Sequence, residues 1–239
     1  MGGVLDTITE SILANTPSNT VRDENVVLQD YLSTIYRLEE IYGIAKTGMI
    51  ASELDVTPAT VTKMLTRLSR LGLVSYDKYR GAILTDRGRL IAESIIRKHR
   101  ICEYFLKFIL DFSISEAHRY AHIMEHLPDI IIEKIFELSG RPKFCPHGNP
   151  IPGTDHIATK QREDFSLEDA PDLSEVKVVR ILGELKKTLE FLERIGIDIG
   201  TVLKVEGRDQ KNIYVRKHEQ DNIVPIPRAV AFQIRVVKL

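Results

Sequence analysis

The sequence predicts a mainly α-helical fold with small β elements: an N-terminal winged helix-turn-helix, a helical middle region and a C-terminal β-barrel. Three observations carry this reading. Apolar residues recur at spacings of three and four through the first half of the chain. The period switches to alternation in LVSYDKYRGAILT, directly after two short helices. The last 64 residues, from Val176, carry β-type segments separated by turns, TVLKVEGR, KNIYVRKH and FQIRVVKL, which suggest a five-stranded barrel.

A chain of 239 residues, 43% hydrophobic and 28% charged, can bury one large core or two smaller ones. No apolar run approaches the roughly 20 residues that span a bilayer. The start, MGGVLDTITESILANTPSNT, lacks the basic end and apolar stretch of a signal peptide, so a cytoplasmic protein with no membrane partner is expected. Two cysteines, Cys102 and Cys145, are too few for a disulfide framework and are expected reduced. The net charge of −1 averages over regions with different partners.

Residues 1–24 read as an N-terminal arm. From Asn25 to Tyr42, Val27, Leu28, Tyr31, Leu32, Ile35, Leu38 and Ile41 share one helix face, which Gly43 closes. TGMIASELDV gives a second helix with Thr47 as N-cap. Thr57-Pro58 opens a third helix, which runs through Val61, Met64, Leu65, Leu68 and Leu71 to Gly72. The hairpin that follows, turning near Arg80-Gly81, completes a winged helix-turn-helix over 25–95 whose third helix would lie in a major groove. Between Thr60 and Arg100 ten basic residues stand against three acidic, a net of +7, where phosphates would be met.

Helical pattern resumes over Asp86–Leu110, Ser113–His126 and from Pro128 to Ser139, so 96–153 reads as a helical domain. Residues 154–175 read as a linker and 176–239 as the barrel domain. His118, His122, Glu125 and His126 fall at spacings of three and four in one expected helix, and His99 and Glu103 repeat the spacing one helix earlier. Antiparallel packing of the two helices would bring these imidazoles and carboxylates together as a metal site. HIMEH also fits H-x-x-E-H, an inverted zinc-hydrolase motif, but extra histidines beside a DNA-binding unit suit a filled sensor site better than an open catalytic one. A metal-buffering protein is a third reading.

With those residues in place, the chain resembles the metal-dependent repressors typified by the diphtheria toxin repressor, the iron-dependent regulators and the manganese transport regulators. The resemblance covers about Val26 to Gly153 through DYLSTIYRLEE, VTPATVTKMLTRLSRLGLV, YDKYRGAILTDRG, RKHRICEYFL, HIMEH and HGNPIPG. More weakly, IGIDIGTVLKVEGRD and IVPIPRAVAFQIRV look like the SH3-like (FeoA-like) domain of the longer members. The resemblance implies a primary metal site of Asp30, His122, Glu125 and His126 and an ancillary site of His99, Glu103 and His118. Cys145 and His147, in CPHG, match a variant in which that pair joins the ancillary site. The barrel ligands of diphtheria-type members find no clear counterpart in GELKKTLEF, which leaves Glu184 as a candidate.

Iron-type members usually carry methionine at the position of Asp30 and cysteine at that of His122; manganese-type members carry aspartate and glutamate. This chain mixes the two. A nitrogen and oxygen set without thiolate suits Fe²⁺ or Mn²⁺, while Co²⁺, Ni²⁺ or Zn²⁺ would bind it in a test tube. Fe²⁺ is the leading expectation. The expected partners are a palindromic operator in double-stranded DNA and a second copy of the chain, docked through helices rich in Ile130, Ile131, Ile132, Ile135 and Phe136. At the start of the recognition helix, Thr57, Ala59, Thr60 and Lys63 are expected near bases, and Thr62, Arg67, Lys78 and Arg80 near phosphates.

Overall fold

A computed structural model describes residues 20–154, 163–218 and 222–239. Most of the expected N-terminal arm lies outside the described residues, and helix α1 (Thr20–Tyr42) begins within its remainder. Tyr31, Leu32, Ile35 and Leu38 bury one face of α1, as the periodicity requires. Helix α2 (Thr47–Glu53) starts one residue differently from expectation. Lys46 holds the extended cap position without a side-chain bond, and Thr47 lies inside the first turn. It also stops early, because Asp55 adopts a left-handed conformation with φ of 54°.

Helix α3 (Pro58–Arg70) follows the expected chemistry. Thr57 caps it, its hydroxyl accepting from the Thr60 N–H at 3.2 Å, and Pro58 occupies the first turn. Val61, Leu65 and Leu68 are buried against α1 and α2 side chains in one core. The wing pairs β1 (Val74–Asp77) with β2 (Gly81–Leu84), Val74 opposite Leu84. Asp77 Oδ1 accepts from the N–H groups of Tyr79 and Arg80, both at 2.8 Å, which fixes the turn. Ala45 and Ala82 exchange backbone hydrogen bonds, so the wing is pinned to the α1–α2 connection.

Helix α4 (Asp86–Phe108) is capped by Thr85 and joins two cores. Ala92 packs with α1, α2, α3 and the hairpin, whereas Ile101, Cys102 and Leu106 belong to a second core with α5 (Ile114–Met124) and α6 (Asp129–Leu138). Ser113 and Glu116 form a capping box at the start of α5. The helix expected to run through His126 ends sooner. Glu125 is its C-cap, His126 lies beyond it, and Pro128 restricts Leu127 away from helical geometry. Of the isoleucines expected at a dimer surface, Ile132 and Ile135 are buried internally with Phe136, while Ile130 and Ile131 are exposed.

The C-terminal unit is a six-stranded antiparallel sheet in the order β3-β8-β4-β5-β6-β7. Its elements are β3 (Phe165–Ser166), β4 (Glu175–Ile181), α7 (Lys186–Ile195), β5 (Val202–Arg208), β6 (Asn212–Lys217), β7 (Ile223–Pro227), α8 (Arg228–Ala231) and β8 (Ile234–Lys238). The expected five-stranded barrel is therefore an open SH3-like sheet with one more strand. β3 pairs with β8 from within the stretch read as linker, and its two residues are too few to display alternation. Pro225 and Pro227 suit β7 to the opposite edge. Helix α7, hidden among β-type segments in the sequence, buries Leu189 and Leu192. Among the described residues no helix is long and apolar enough to cross a membrane.

Residues 144–150 fold into a tight turn, Phe144 bridging to Pro150 and the Ile181 N–H donating to the His147 carbonyl at 3.0 Å. Gly148 sits there at φ of 77°, and a Cβ would lie 2.1 Å from the Val179 carbonyl oxygen. Gly148→Ala is therefore expected to lower stability by about 2 kcal/mol or more, through left-handed strain and overlap. Urea unfolding followed by circular dichroism checks this; an unchanged midpoint would contradict the close approach.

Candidate metal centre and DNA-reading face

The surface expected to meet DNA is open. Thr57, Ala59, Thr60, Lys63, Arg67, Lys78 and Arg80 are exposed and Thr62 is half-buried. Some of their polar atoms already have partners. The Thr57 and Thr60 hydroxyls lie 2.9 Å apart, Thr62 donates to the Pro58 carbonyl at 2.9 Å, and Arg67 pairs with Glu24 at 2.9 Å. The basic excess counted along the sequence divides in space. Arg89 pairs with Glu39, Arg97 with Glu133, Lys98 with Asp129 and Arg100 with Glu40 and Glu184. Lys63, Arg67, Arg70, Lys78, Arg80 and Arg87 remain on the surface around α3 and the wing.

Behind that face, three groups of candidate ligands meet where α1, α4, α5 and the 144–150 turn converge. Asp30, Glu125 and His126 form one, His99, His118 and His122 another, and Glu103, Cys145, His147 and Glu184 a third, the donor atoms of each lying within 4.8 Å of one another. All nine sequence-expected ligands thus come together, but in a different grouping. His122 lies with His99 and His118, their ring centroids 4.5 and 4.8 Å away, and touches Glu125 Oε2 at 3.5 Å. The early end of α5 explains this: His126 leaves the helix face and turns to Asp30 at 3.2 Å, with its other nitrogen 2.8 Å from Gln29 Oε1.

Two buried carboxylates organise the imidazoles. Glu125 Oε2 lies 2.6 Å from His99 Nδ1, and Glu103 Oε1 lies 2.6 Å from His118 Nδ1, 3.0 Å from His99 Nε2 and 3.4 Å from His147 Nδ1. Burial raises the pKa of both acids, but the imidazoles outweigh it. His147 and His99 hold Glu103 well below the usual carboxylate range, and His122 and His99 do the same for Glu125. Burial pushes His118 down to about 3, so that ring is a neutral donor at physiological pH. Cys145 goes the other way, its thiol raised by burial and by Glu184 and Glu103.

Sequence reasoning missed two arginines and undervalued one acid. Glu184, in the turn after β4, accepts from Arg100 Nε at 3.1 Å, Asn149 Nδ2 at 2.7 Å and the Cys145 thiol at 3.2 Å. Arg37, on α1, is buried beside His122 and Glu184. Arg37 continues a polar stripe of α1, with Asp30, Ser33 and Thr34 one and two turns before it, and that stripe is the sign that would have flagged it.

The residues fit a divalent cation. Among the described residues, Glu103 Oε2, His118 Nε2, Glu125 Oε1 and His147 Nε2 are buried without a hydrogen-bond partner, which is costly unless an ion or water satisfies them. The donors are carboxylate, imidazole and one thiol, a set that holds first-row transition metals. Asp30, His122 and His126 also line a cavity of about 810 Å³ between α1, α2, α5 and α7, which gives an ion a path inward.

Comparison with known proteins adds three family matches. Residues 26–82 match the iron dependent repressor N-terminal DNA binding domain, 85–153 the iron dependent repressor metal binding and dimerisation domain, and 165–238 the FeoA domain. The chain is 33% identical over 191 residues to the diphtheria toxin repressor of Corynebacterium efficiens, covering 74% of this chain and 83% of that one. It is 28% identical to the iron-dependent repressor IdeR of Mycobacterium leprae over 87% of this chain and 96% of that one. Among solved structures it is similar to the manganese regulator SloR, with a TM-score of 0.75, 29% identity, and 89% and 98% of the two chains covered.

Glu125 touches imidazoles from α4, from α5 and from beyond the end of α5, so Glu125→Ala is expected to weaken divalent-metal binding at least tenfold, the scale of a lost charged ligand contact. Competition with a chromophoric chelator measures it; unchanged affinity would remove Glu125 from the site.

Proposed function

Because the chain belongs to the iron-dependent repressor family of metal-dependent transcriptional regulators, we propose that it binds a palindromic operator as a homodimer when loaded with Fe²⁺ and releases it when the metal is withdrawn. The observation that carries this reading is the contact of His126 with Asp30 at 3.2 Å. It joins the end of α5 to α1, the first helix of the DNA-reading unit, across residues nearly a hundred positions apart. The hydrolase reading of HIMEH falls away with the family, whose members repress transcription.

On this reading Asp30, His122, Glu125 and His126 make the primary site, and His99, Glu103, His118, Cys145 and His147 the ancillary one, with Glu184 reaching in from the SH3-like sheet. A bound divalent ion supplies positive charge and directional coordination that neutralise the buried carboxylates. Asp30 can bridge only if α1 stands against the end of α5. Closing that bridge therefore selects one placement of the reading unit out of those the apo chain samples. Lys63 and its neighbours on α3 would then read bases, and Lys78 and Arg80 would hold phosphate. Ile123, Ile130, Ile131 and Leu138 leave exposed apolar surface on α5 and α6, which supports a two-fold dimer there and two half-sites one helical turn apart.

Fe²⁺ leads because two imidazoles beside two carboxylates form a softer set than carboxylates alone. Mn²⁺ is the second reading, supported by Asp30 and by the likeness to a manganese regulator. Both point to metal homeostasis genes as targets and to work in the cytoplasm.

The test is DNA selected from a random pool in the presence of anaerobic Fe²⁺ or Mn²⁺, followed by affinity with metal and with chelator. Loaded protein is expected to prefer the selected operator over unrelated DNA by about a thousandfold or more, and chelated protein to lose that preference. Equal affinity in both states would contradict metal control.

A further inference from the structure

Arg37 stands between the ligand groups. Its side chain is 1% exposed, Nη1 lies 3.4 Å from Nε2 of His122, and Nε lies 3.9 Å from Oε2 of Glu184. Among the described residues, Nε and Nη2 of Arg37 have no hydrogen-bond partner, and neither has Oε2 of Glu184. A guanidinium keeps its charge and can only donate. Nε2 of His122 is therefore the acceptor, and the proton of the neutral ring sits on Nδ1, which faces Glu125 Oε2 at 3.5 Å.

A neutral imidazole offers one lone pair. If His122 ligates through Nε2, Arg37 loses its acceptor outright. If it ligates through Nδ1, the ring proton moves to Nε2, and two donors face each other. Either nitrogen gives the same result: the contact with Arg37 and ligation by His122 exclude one another.

We infer that Arg37 competes with the metal for His122, and that loading makes it exchange His122 for the open oxygen of Glu184. This rests on the reading of His122 as a ligand. The second partner is already in place, since a small movement brings Nε from 3.9 Å into hydrogen-bond range of Glu184 Oε2. Glu184 belongs to the C-terminal unit, so the exchange ties α1 to that unit as the metal site fills. The contact given up is the same whatever ion enters. Arg37 therefore lowers the affinity for every metal by one common factor and sets the threshold for loading without choosing among ions.

The test compares full-length wild type, Arg37→Met, His122→Ala and the double variant, each titrated with Mn²⁺ and with Co²⁺ against a chromophoric chelator. Arg37→Met is expected to bind both ions roughly tenfold tighter or more, by the same factor, with an unchanged Co²⁺ spectrum, because a charged hydrogen bond no longer has to be broken. In the His122→Ala background the same substitution should change nothing. If His122→Ala binds metal as wild type does, the ligand reading fails and the inference with it. If His122→Ala weakens binding but Arg37→Met does not tighten it, the inference alone fails. Tightening that persists without His122 would mean charge repulsion only and would also overturn the exchange. Should Arg37→Met fail to fold by circular dichroism, Arg37→Ala, which also removes every side-chain donor, carries the same comparison.

Discussion

A carboxylate sealed inside a protein must be paired or satisfied by an ion, and Glu125 is sealed at the point where three segments meet. Its oxygens face His99 from α4, His122 from the last turn of α5, and His126 beyond that turn. His126 in turn reaches Asp30 on α1. Removing one partner from such a group leaves uncompensated charge in low dielectric. The relative placement of α1, α4 and α5 is thus a condition for keeping Glu125 ionised, and a divalent ion among the same donors would strengthen that condition.

Helix α4 carries the consequence to the DNA face. Its 23 residues run unbroken from the core beneath the recognition helix to the core beneath the histidines. The wing is fixed to the α1–α2 connection through Ala45 and Ala82, so a shift of α1 moves α2, α3 and the hairpin together. The C-terminal unit grips the same elements from outside. The Lys186 N–H at the start of α7 donates to Glu53 on α2 at 3.0 Å, and Ser115 on α5 donates to Glu193 at 2.8 Å. At Gly183 a Cβ would fall 2.3 Å from the Ile41 side chain, so the turn presenting Glu184 lies directly on α1. One short helix and one turn of the SH3-like sheet therefore touch both the reading unit and the histidine-bearing helix.

Much of this was legible in the sequence. The helices with strong periodicity, the Thr57-Pro58 start and the hairpin are local features, encoded by spacing and turn chemistry within a few residues. The candidate ligands were legible too, because HIMEH and RKHRICE concentrate imidazole and carboxylate. Their grouping was not. Pro128 ends α5 early enough to free His126 from the face it would share with His122, a tertiary outcome that spacing alone misreads. Glu184 and Arg37 were not legible, because their partners lie 84 and 85 positions away in Arg100 and His122. The basic run from Thr60 to Arg100 overstated the DNA face because Arg89, Arg97, Lys98 and the buried Arg100, all on α4, are each paired with acids.

The central claim is that filling the metal centre narrows the placement of the reading units in the dimer. Spin labels on Ser69→Cys, exposed near the end of α3, report the separation of the two recognition helices by pulsed electron resonance, with Cys102 and Cys145 buried from the label. With a diamagnetic divalent ion such as Zn²⁺ bound, the distance distribution is expected to sharpen about one value that fits half-sites one turn apart, roughly 34–36 Å between helix centres. With chelator it is expected to broaden. Identical distributions in the two states would contradict the account.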